Sequence, residues 1–208
     1  MSAGRFISLE GTEGGGKSTH TGLLAGRLRQ AGRTVIALRE PGGTPLGEEI
    51  RHLLKHSEAG QAMTPETELL LLNASRAQLV QQVIRPALLQ GTIVLCDRFA
   101  DSSIAYQAYG RGLDLEEARR VIRFATGGLT PDLTLWLSVP VEVSEARRVA
   151  RRAAEKGDVS DRFEEANRDF FHRVEEGFRA LAAQEPGRIK MVDATQPIEV
   201  VQESIWRH

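Results

Sequence analysis

Five short apolar runs punctuate the chain: Arg5–Leu9, Thr34–Leu38, Thr92–Cys96, Leu133–Ser138 and Ile189–Val192. Each has the length of a strand, and the stretches between them carry apolar residues at helical spacing. In most runs the apolar residues are continuous and not alternating, which predicts strands buried on both faces of a parallel sheet. The last run is short and carries Lys190, so it predicts an edge strand. The repeated strand–helix order predicts an α/β doubly wound fold. Ligands of such sheets sit at the carboxyl ends of strands, which directs attention to Gly11–Thr19, Arg39–Thr44, Asp97–Ser103 and Val139–Val141.

The helical stretches have readable ends. Residues 61–90 predict a long helix, with Thr64 as N-cap, Pro65 at the first position and Thr67 at N3. Leu69, Leu72 and Leu79 share one face of it, and Arg76 interrupts that stripe. A cation there calls for an anionic partner, or for a side chain that snorkels to the edge of the stripe. Asp114 caps a further helix, with Glu117 at N3, and Gly127-Gly128 ends it. A basic helix begins at Val141, and the tail after Thr195 reads as helical.

Length and composition narrow the class. The 208 residues predict one domain, 41% hydrophobic and 26% charged, with the balance of a soluble globular protein. A formal charge of −1 argues against a surface that coats nucleic acid. A single cysteine, Cys96, sits in an apolar run and predicts a packed thiol in a reducing cytoplasm, with no intrachain disulfide. No run is long enough to cross a bilayer, and no signal-peptide pattern opens the chain.

The strongest chemical signal is Gly11-Thr12-Glu13-Gly14-Gly15-Gly16-Lys17-Ser18-Thr19. It lies between a strand and a helix-competent segment and matches G-x-x-x-x-G-K-[ST], a phosphate-binding loop. Its amides must converge on an anion, which is why it needs glycine. Lys17 can reach the β- and γ-phosphates of a nucleotide, and the Ser18 hydroxyl can ligate Mg²⁺. Asp97, ending a buried strand, is a candidate Walker-B-type aspartate for the same ion. Beside it, Arg98 offers a planar donor fork to phosphate, or else pairs with Asp97. Arg39, after the second strand, either grips a second phosphate or is a surface charge. Ser102, Ser103, Tyr106 and Gln107 form either a polar recognition wall or a solvated helix face. Arg147, Arg148, Arg151 and Arg152 stand next to a break at Lys156-Gly157-Asp158, followed by Asp161-Arg162. That pattern suits a lid closing over phosphates from 148 to 162, and equally a charged face paired with Glu142, Glu145 and Glu155. His52 and His56 share a helix face without the glutamate of a zinc-hydrolase motif. The chain lacks the N-K-x-D guanine-reading motif of switch GTPases.

Taken together, these motifs resemble the thymidylate kinase family. The residues that carry the likeness are Phe6–Gly11 leading into the loop, Arg39-Glu40-Pro41-Gly42-Gly43-Thr44, Asp97-Arg98-Phe99, Ala105-Tyr106-Gln107 and Gly110-Arg111-Gly112. Pro131-Asp132-Leu133-Thr134, Asp161-Arg162-Phe163-Glu164 and Asp193-Ala194-Thr195-Gln196 extend it to nearly the whole chain. The resemblance implies a P-loop NTPase-type fold with a five-stranded parallel sheet, a homodimer, and Mg²⁺-dependent transfer of the γ-phosphoryl of ATP to dTMP. It implies that Glu13 faces the 3′-hydroxyl of dTMP and that Arg39 and Arg98 contact its phosphate. Arg76 and Ser103 would lie near the thymine edge, Tyr106 under the sugar and Asp97 at Mg²⁺. Asp193-Ala194-Thr195 would border the adenine. The family usually places a stacking Phe where this chain has Leu72, which covers a base without aromatic stacking worth roughly 0.5–1.5 kcal/mol. Some members carry an arginine at the position of Gly15. Here that charge is expected from the lid, with Arg148, Arg151, Arg152 and Arg162 as candidates.

Overall fold

The computed structural model describes residues 4–60, 62–154 and 167–208. Five parallel strands form one sheet: β1 (Arg5–Glu10), β2 (Val35–Arg39), β3 (Ile93–Asp97), β4 (Leu133–Ser138) and β5 (Ile189–Asp193). Their spatial order is β2-β3-β1-β4-β5. The chain alternates them with α1 (Lys17–Gln30), α2 (Pro45–Lys55), α3 (Pro65–Leu79), α4 (Arg85–Leu89), α5 (Ala100–Ser103), α6 (Leu115–Thr126), α7 (Val141–Ala154), α8 (Arg168–Gln184) and α9 (Ile198–Trp206). The expectation of an α/β doubly wound fold with a five-stranded parallel sheet is met, and all five apolar runs became strands.

Strand alternation explains the layers. Leu9, Leu95, Leu135 and Leu137 face one side, where they pack with Leu24 and Ala25 of α1 and with Val201 and Ile205 of α9. Phe6, Val94 and Cys96 face the other side, against Leu79, Val80, Ile84 and Phe99. Trp136 on that second face joins Tyr106, Phe170 and Phe178. The three central strands are thus apolar on both faces, as the continuous runs require. β5 is an edge strand, as Lys190 suggested. The opposite edge is β2, whose run reads as fully buried but has only Val35 buried, because no strand covers its far side.

Helix ends follow the sequence signals. Thr64 Oγ1 accepts from Thr67 N at 3.3 Å, and Asp114 Oδ1 accepts from Glu117 N at 2.9 Å. Gly127 ends α6 in the left-handed region. The long helix predicted over 61–90 starts at Pro65 and is not uniform. It passes through a π-helical turn at Val80–Ile84 before α4, whose first turn contains Pro86. A proline there removes an N–H from the ladder, and a wider turn accommodates the gap. A second π-helical stretch, Ile104–Gly110, continues α5. It had no pattern to announce it.

A buried polar network ties the layers below the sheet's carboxyl end. Ser8 and Thr134 share a hydrogen bond of 2.9 Å between neighbouring strands, and Thr134 Oγ1 donates to Asp101 Oδ2 at 3.0 Å. Arg188 closes on both carboxylate oxygens of Asp101, at 2.7 and 2.9 Å. These bonds pin the start of α5, and with it the segment after β3, to the turn that precedes β5.

Candidate active site

The loop after β1 is an anion cradle. Gly11, Gly14 and Gly16 all have positive φ. A Cβ on Gly11 would stand 2.5 Å from the Leu137 carbonyl oxygen, so glycine is obligatory where the loop crosses β4. Gly16 caps α1, directing the helix's free amides and the positive end of its dipole into the loop. Lys17 is buried, and its Nζ donates to Thr12 O at 2.7 Å across the loop. Burial, and then the Arg98 charge, push its pKa down to about 8, against the pull of Asp97, Glu13 and Glu10. An anion in the cradle would raise it again.

Ser18 and Asp97 meet at the loop's exit, with Ser18 Oγ donating to Asp97 Oδ2 at 2.5 Å. Both offer oxygen alone. Among the described residues no group of three or more His, Cys, Asp or Glu side chains is arranged for a metal. A cation here would therefore take one carboxylate, one hydroxyl and the oxygens of its ligand, the habit of a hard ion that travels with phosphate.

Beside the loop opens a cleft of about 440 Å³ of empty space, open solvent at its mouth included. From the residues anticipated in the sequence, Glu13, Arg98, Ser102, Ser103, Tyr106 and Gln107 line it, with Leu72 and Arg76 contributed by α3. Glu40, Pro41 and Lys55 also line it and were not singled out as functional. Glu40 and Pro41 directly follow β2 at the sheet's carboxyl edge, a signal that could have flagged them, whereas Lys55 ends α2 and carried none.

Arg98 is the hub. It is the one non-glycine residue with positive φ (70°) among the described residues. Its guanidinium donates to Gly11 O at 2.8 Å, Ser102 Oγ at 3.0 Å, Glu13 Oε1 at 2.6 Å and the Tyr106 hydroxyl at 3.1 Å. It is thus shared between loop and cleft. The open Asp97–Arg98 question resolves against that pair, since Asp97 takes Ser18 and Arg98 takes Glu13. Burial would raise the Glu13 carboxyl, but Arg98, Lys17 and the Tyr106 hydroxyl outweigh it and hold Glu13 below the ordinary range. Burial, with Glu13 adding to it, pushes the Tyr106 phenol well above its ordinary value.

Arg76 found the anion its position demanded. Its Nε donates to Glu40 Oε2 at 2.8 Å, and the remaining donors go to Asn73 Oδ1, Ser103 Oγ and Phe99 O. Gln107 gives its amide nitrogen to Glu68 Oε1 at 2.8 Å. An acceptor-only partner fixes the orientation of the amide, so the carbonyl remains. That buried oxygen has no hydrogen-bond partner among the described residues.

Other anticipated residues lie elsewhere. Arg39 stands at the end of β2, closed on Glu48 at 2.7 Å, and does not line the cleft. On α7, Ser144 Oγ donates to Glu13 O at 2.6 Å and Arg147 reaches Gly14 O at 3.4 Å. Arg148 is buried with its guanidinium 4.1 Å from the Phe171 ring centroid, so it is not part of a solvated face. Arg151 is exposed on the same helix. Arg162 and the side chain of Arg152 lie outside the described residues, as does the second half of the 148–162 segment. Asp193 ends β5, accepts from the amide and hydroxyl of Thr195 at 2.9 and 2.6 Å, and is followed by buried Ala194.

A P-loop, a cation-competent aspartate at the end of the neighbouring strand, and a cleft joined to the loop by one arginine define a P-loop NTPase-type phosphotransferase. The comparison with known proteins narrows the class. The family model for thymidylate kinase matches residues 9–205, and the chain belongs to that family. It is 52% identical to a thymidylate kinase of Thermomicrobium roseum over 201 residues, 97% of this chain and 92% of the relative. It is 49% identical to one of Pseudomonas putida, over 96% of this chain and 93% of the relative. The crystal structure of thymidylate kinase from Ehrlichia chaffeensis superimposes with a TM-score of 0.79 at 29% identity, covering 99% and 98% of the two chains.

Proposed function

We propose that this protein transfers the γ-phosphoryl group of ATP to the phosphate of dTMP, giving dTDP and ADP. The observation that carries the reading is the placement of Arg98, whose guanidinium touches the phosphate loop and the acceptor cleft together. A dTMP phosphate oxygen attacks the γ-phosphorus, the new P–O bond forms as the bond to the β-phosphate oxygen breaks, and ADP leaves. The acceptor oxygen is already anionic near neutral pH, so no strong base is needed. The work is alignment and charge stabilisation.

The loop Gly11–Thr19 holds the ATP phosphates through its amides and Lys17. Ser18 and Asp97 would hold Mg²⁺, which would supply charge neutralisation to those phosphates. Arg98 holds the acceptor phosphate, and Arg39 joins it by leaving Glu48. Glu13 takes the sugar 3′-hydroxyl, and Tyr106 packs below the ring where a 2′-hydroxyl would crowd it. The unpartnered carbonyl of Gln107 suits the N3–H of a pyrimidine, and the Ser103 hydroxyl, oriented by Arg76, suits the O4 edge. Leu72 covers the face of the base, and Ser102 steadies Arg98. Asp193-Ala194-Thr195 borders the adenine. Residues 148–162 form the lid of a single kinase domain, with Arg148, Arg151, Arg152 and Arg162 as its cations. The enzyme works as a cytoplasmic homodimer, binding neither nucleic acid nor membrane.

An ADP-release assay across dTMP, dUMP and UMP tests this reading. The expected order of kcat/KM is dTMP first and UMP last. ADP release independent of any acceptor, or a preference for the ribonucleotide, contradicts it. Light scattering at assay concentrations tests the dimer, and a monomer would contradict that part.

A further inference from the structure

Glu10, the last residue of β1, is fully buried and does not line the cleft. The other inward positions of β1 are filled by Phe6, Ser8 and Leu9, so a carboxyl at the strand's end needs a reason. Burying it is costly unless each oxygen finds a donor. Both do. Oε1 accepts from Phe99 N at 2.8 Å, and Oε2 lies 2.5 Å from Ser102 Oγ. Phe99 is the residue after Arg98, and Ser102 Oγ is one of the four groups that receive the Arg98 guanidinium. The Arg98 amide is itself tied back to β1, donating to Leu9 O at 3.0 Å. The end of β1 thus grips the turn on both sides of a residue whose φ of 70° is unfavourable for an L side chain.

We propose that Glu10 is a positioning residue, holding Arg98 in its left-handed conformation so that the guanidinium spans the phosphate loop and the acceptor cleft. The inference rests on the reading of Arg98 as the acceptor-phosphate ligand. Glu10 touches neither substrate and acts through the backbone of Phe99 and the hydroxyl of Ser102. The charged groups around it are Asp101 below and Arg98 and Lys17 above. Burial, and then the Asp101 charge, push its carboxyl up to about 8. Ser102 Oγ accepts from Arg98 and donates to Oε2 of Glu10, while Oε1 accepts from Phe99 N. A glutamine keeps both contacts, with its carbonyl accepting from Phe99 N–H and its amide nitrogen donating to Ser102 Oγ, whose hydroxyl turns from donor to acceptor. An aspartate is one methylene too short to span them.

Steady-state kinetics of the full-length enzyme separate the outcomes. Wild-type protein without dTMP-dependent ADP release defeats the functional reading itself. With an active wild type, Glu10→Ala is expected to lower kcat/KM for dTMP by about tenfold or more while KM for ATP stays within about twofold. Glu10→Gln is expected to restore kcat/KM for dTMP to within about threefold. A merely structural carboxyl would lower the folded fraction and leave the KM of the folded enzyme unchanged, so an unchanged dTMP KM in folded Glu10→Ala overturns the proposal. If the alanine variant does not fold, Glu10→Asp serves. It should raise the dTMP KM by about threefold or more, and a wild-type KM in it overturns the proposal equally. A loss in Glu10→Gln as large as that in Glu10→Asp contradicts the two-bond account.

Discussion

Two arginine–carboxylate pairs flank the turn after β2, and both close at 2.7 Å. Arg76 and Glu40 are 2% and 3% exposed, whereas Arg39 and Glu48 are 52% and 44% exposed. Equal geometry gives them unequal roles. In the buried pair Arg76 has every donor direction committed, to Glu40, Asn73, Ser103 and Phe99, so it is a fixed part of the cleft wall. Even so, burial outweighs the Arg76 charge and leaves the Glu40 carboxyl above its ordinary value. The exposed pair is screened by solvent, and its arginine can exchange one anion for another at small cost. A site that must hold its shape and also admit a phosphate needs one of each.

The sharpest way to break this contrast is to remove the buried cation. Arg76→Ala strands Glu40 in the interior and should cost about 3–5 kcal/mol of stability in urea unfolding. A loss below about 1 kcal/mol would mean that burial makes no difference between the pairs.

Glu10 extends the buried side of the comparison to a carboxyl on which, among the described residues, no arginine closes, and its effect is a pH dependence. Its pKa is about 8 in the folded chain against an ordinary 4.5, so the native state holds a proton that the unfolded chain has lost. Below about 4.5 both states are protonated and the group carries no penalty. Between about 4.5 and about 8 it should lower stability by at most roughly 1.4 kcal/mol per pH unit, and the penalty is constant above that. Urea unfolding at pH 5 and pH 8.5 checks this. Glu10→Gln should match the wild type at the lower pH and exceed it at the higher, and parallel curves would contradict the assignment.

A smaller effect belongs to the base-covering wall. Leu72→Phe should add about 0.5–1.5 kcal/mol of stacking, lowering the dTMP KM by roughly two- to tenfold. An unchanged KM would show that Leu72 does not meet the base. Smallest of all is the exposed pair. Glu48→Gln should change stability by less than about 1 kcal/mol, seen as a small shift in Tm. A larger loss would make that pair structural and unavailable for exchange.

Much of this was legible in the chain. The five strands, the loop with Lys17 and Ser18, and the caps at Thr64 and Asp114 follow from local chemistry, and local chemistry survives folding. Arg76 was legible as a question, since a cation in an apolar stripe demands an anion, but nothing in α3 names Glu40, which comes from the turn after β2. The left-handed Arg98 and the π-helical stretch after α5 left no trace, because the groups that meet them, Leu9 and Glu10 of β1 and Arg173 of α8, are far away in the sequence. Arg148 reads as one charge in a basic run, yet packing against Phe171 buries it. Glu10 had a readable sign, an acid closing an apolar strand before a phosphate loop.

The most direct test of the account is a crystal structure with dTMP and a non-hydrolysable ATP analogue. The account predicts dTMP in the cleft with its base against Leu72 and Gln107, its phosphate on Arg98, Arg76 still closed on Glu40, and Arg39 turned from Glu48 to the phosphate. A bound dTMP whose phosphate meets neither Arg98 nor Arg39, or one seated outside this cleft, would contradict it.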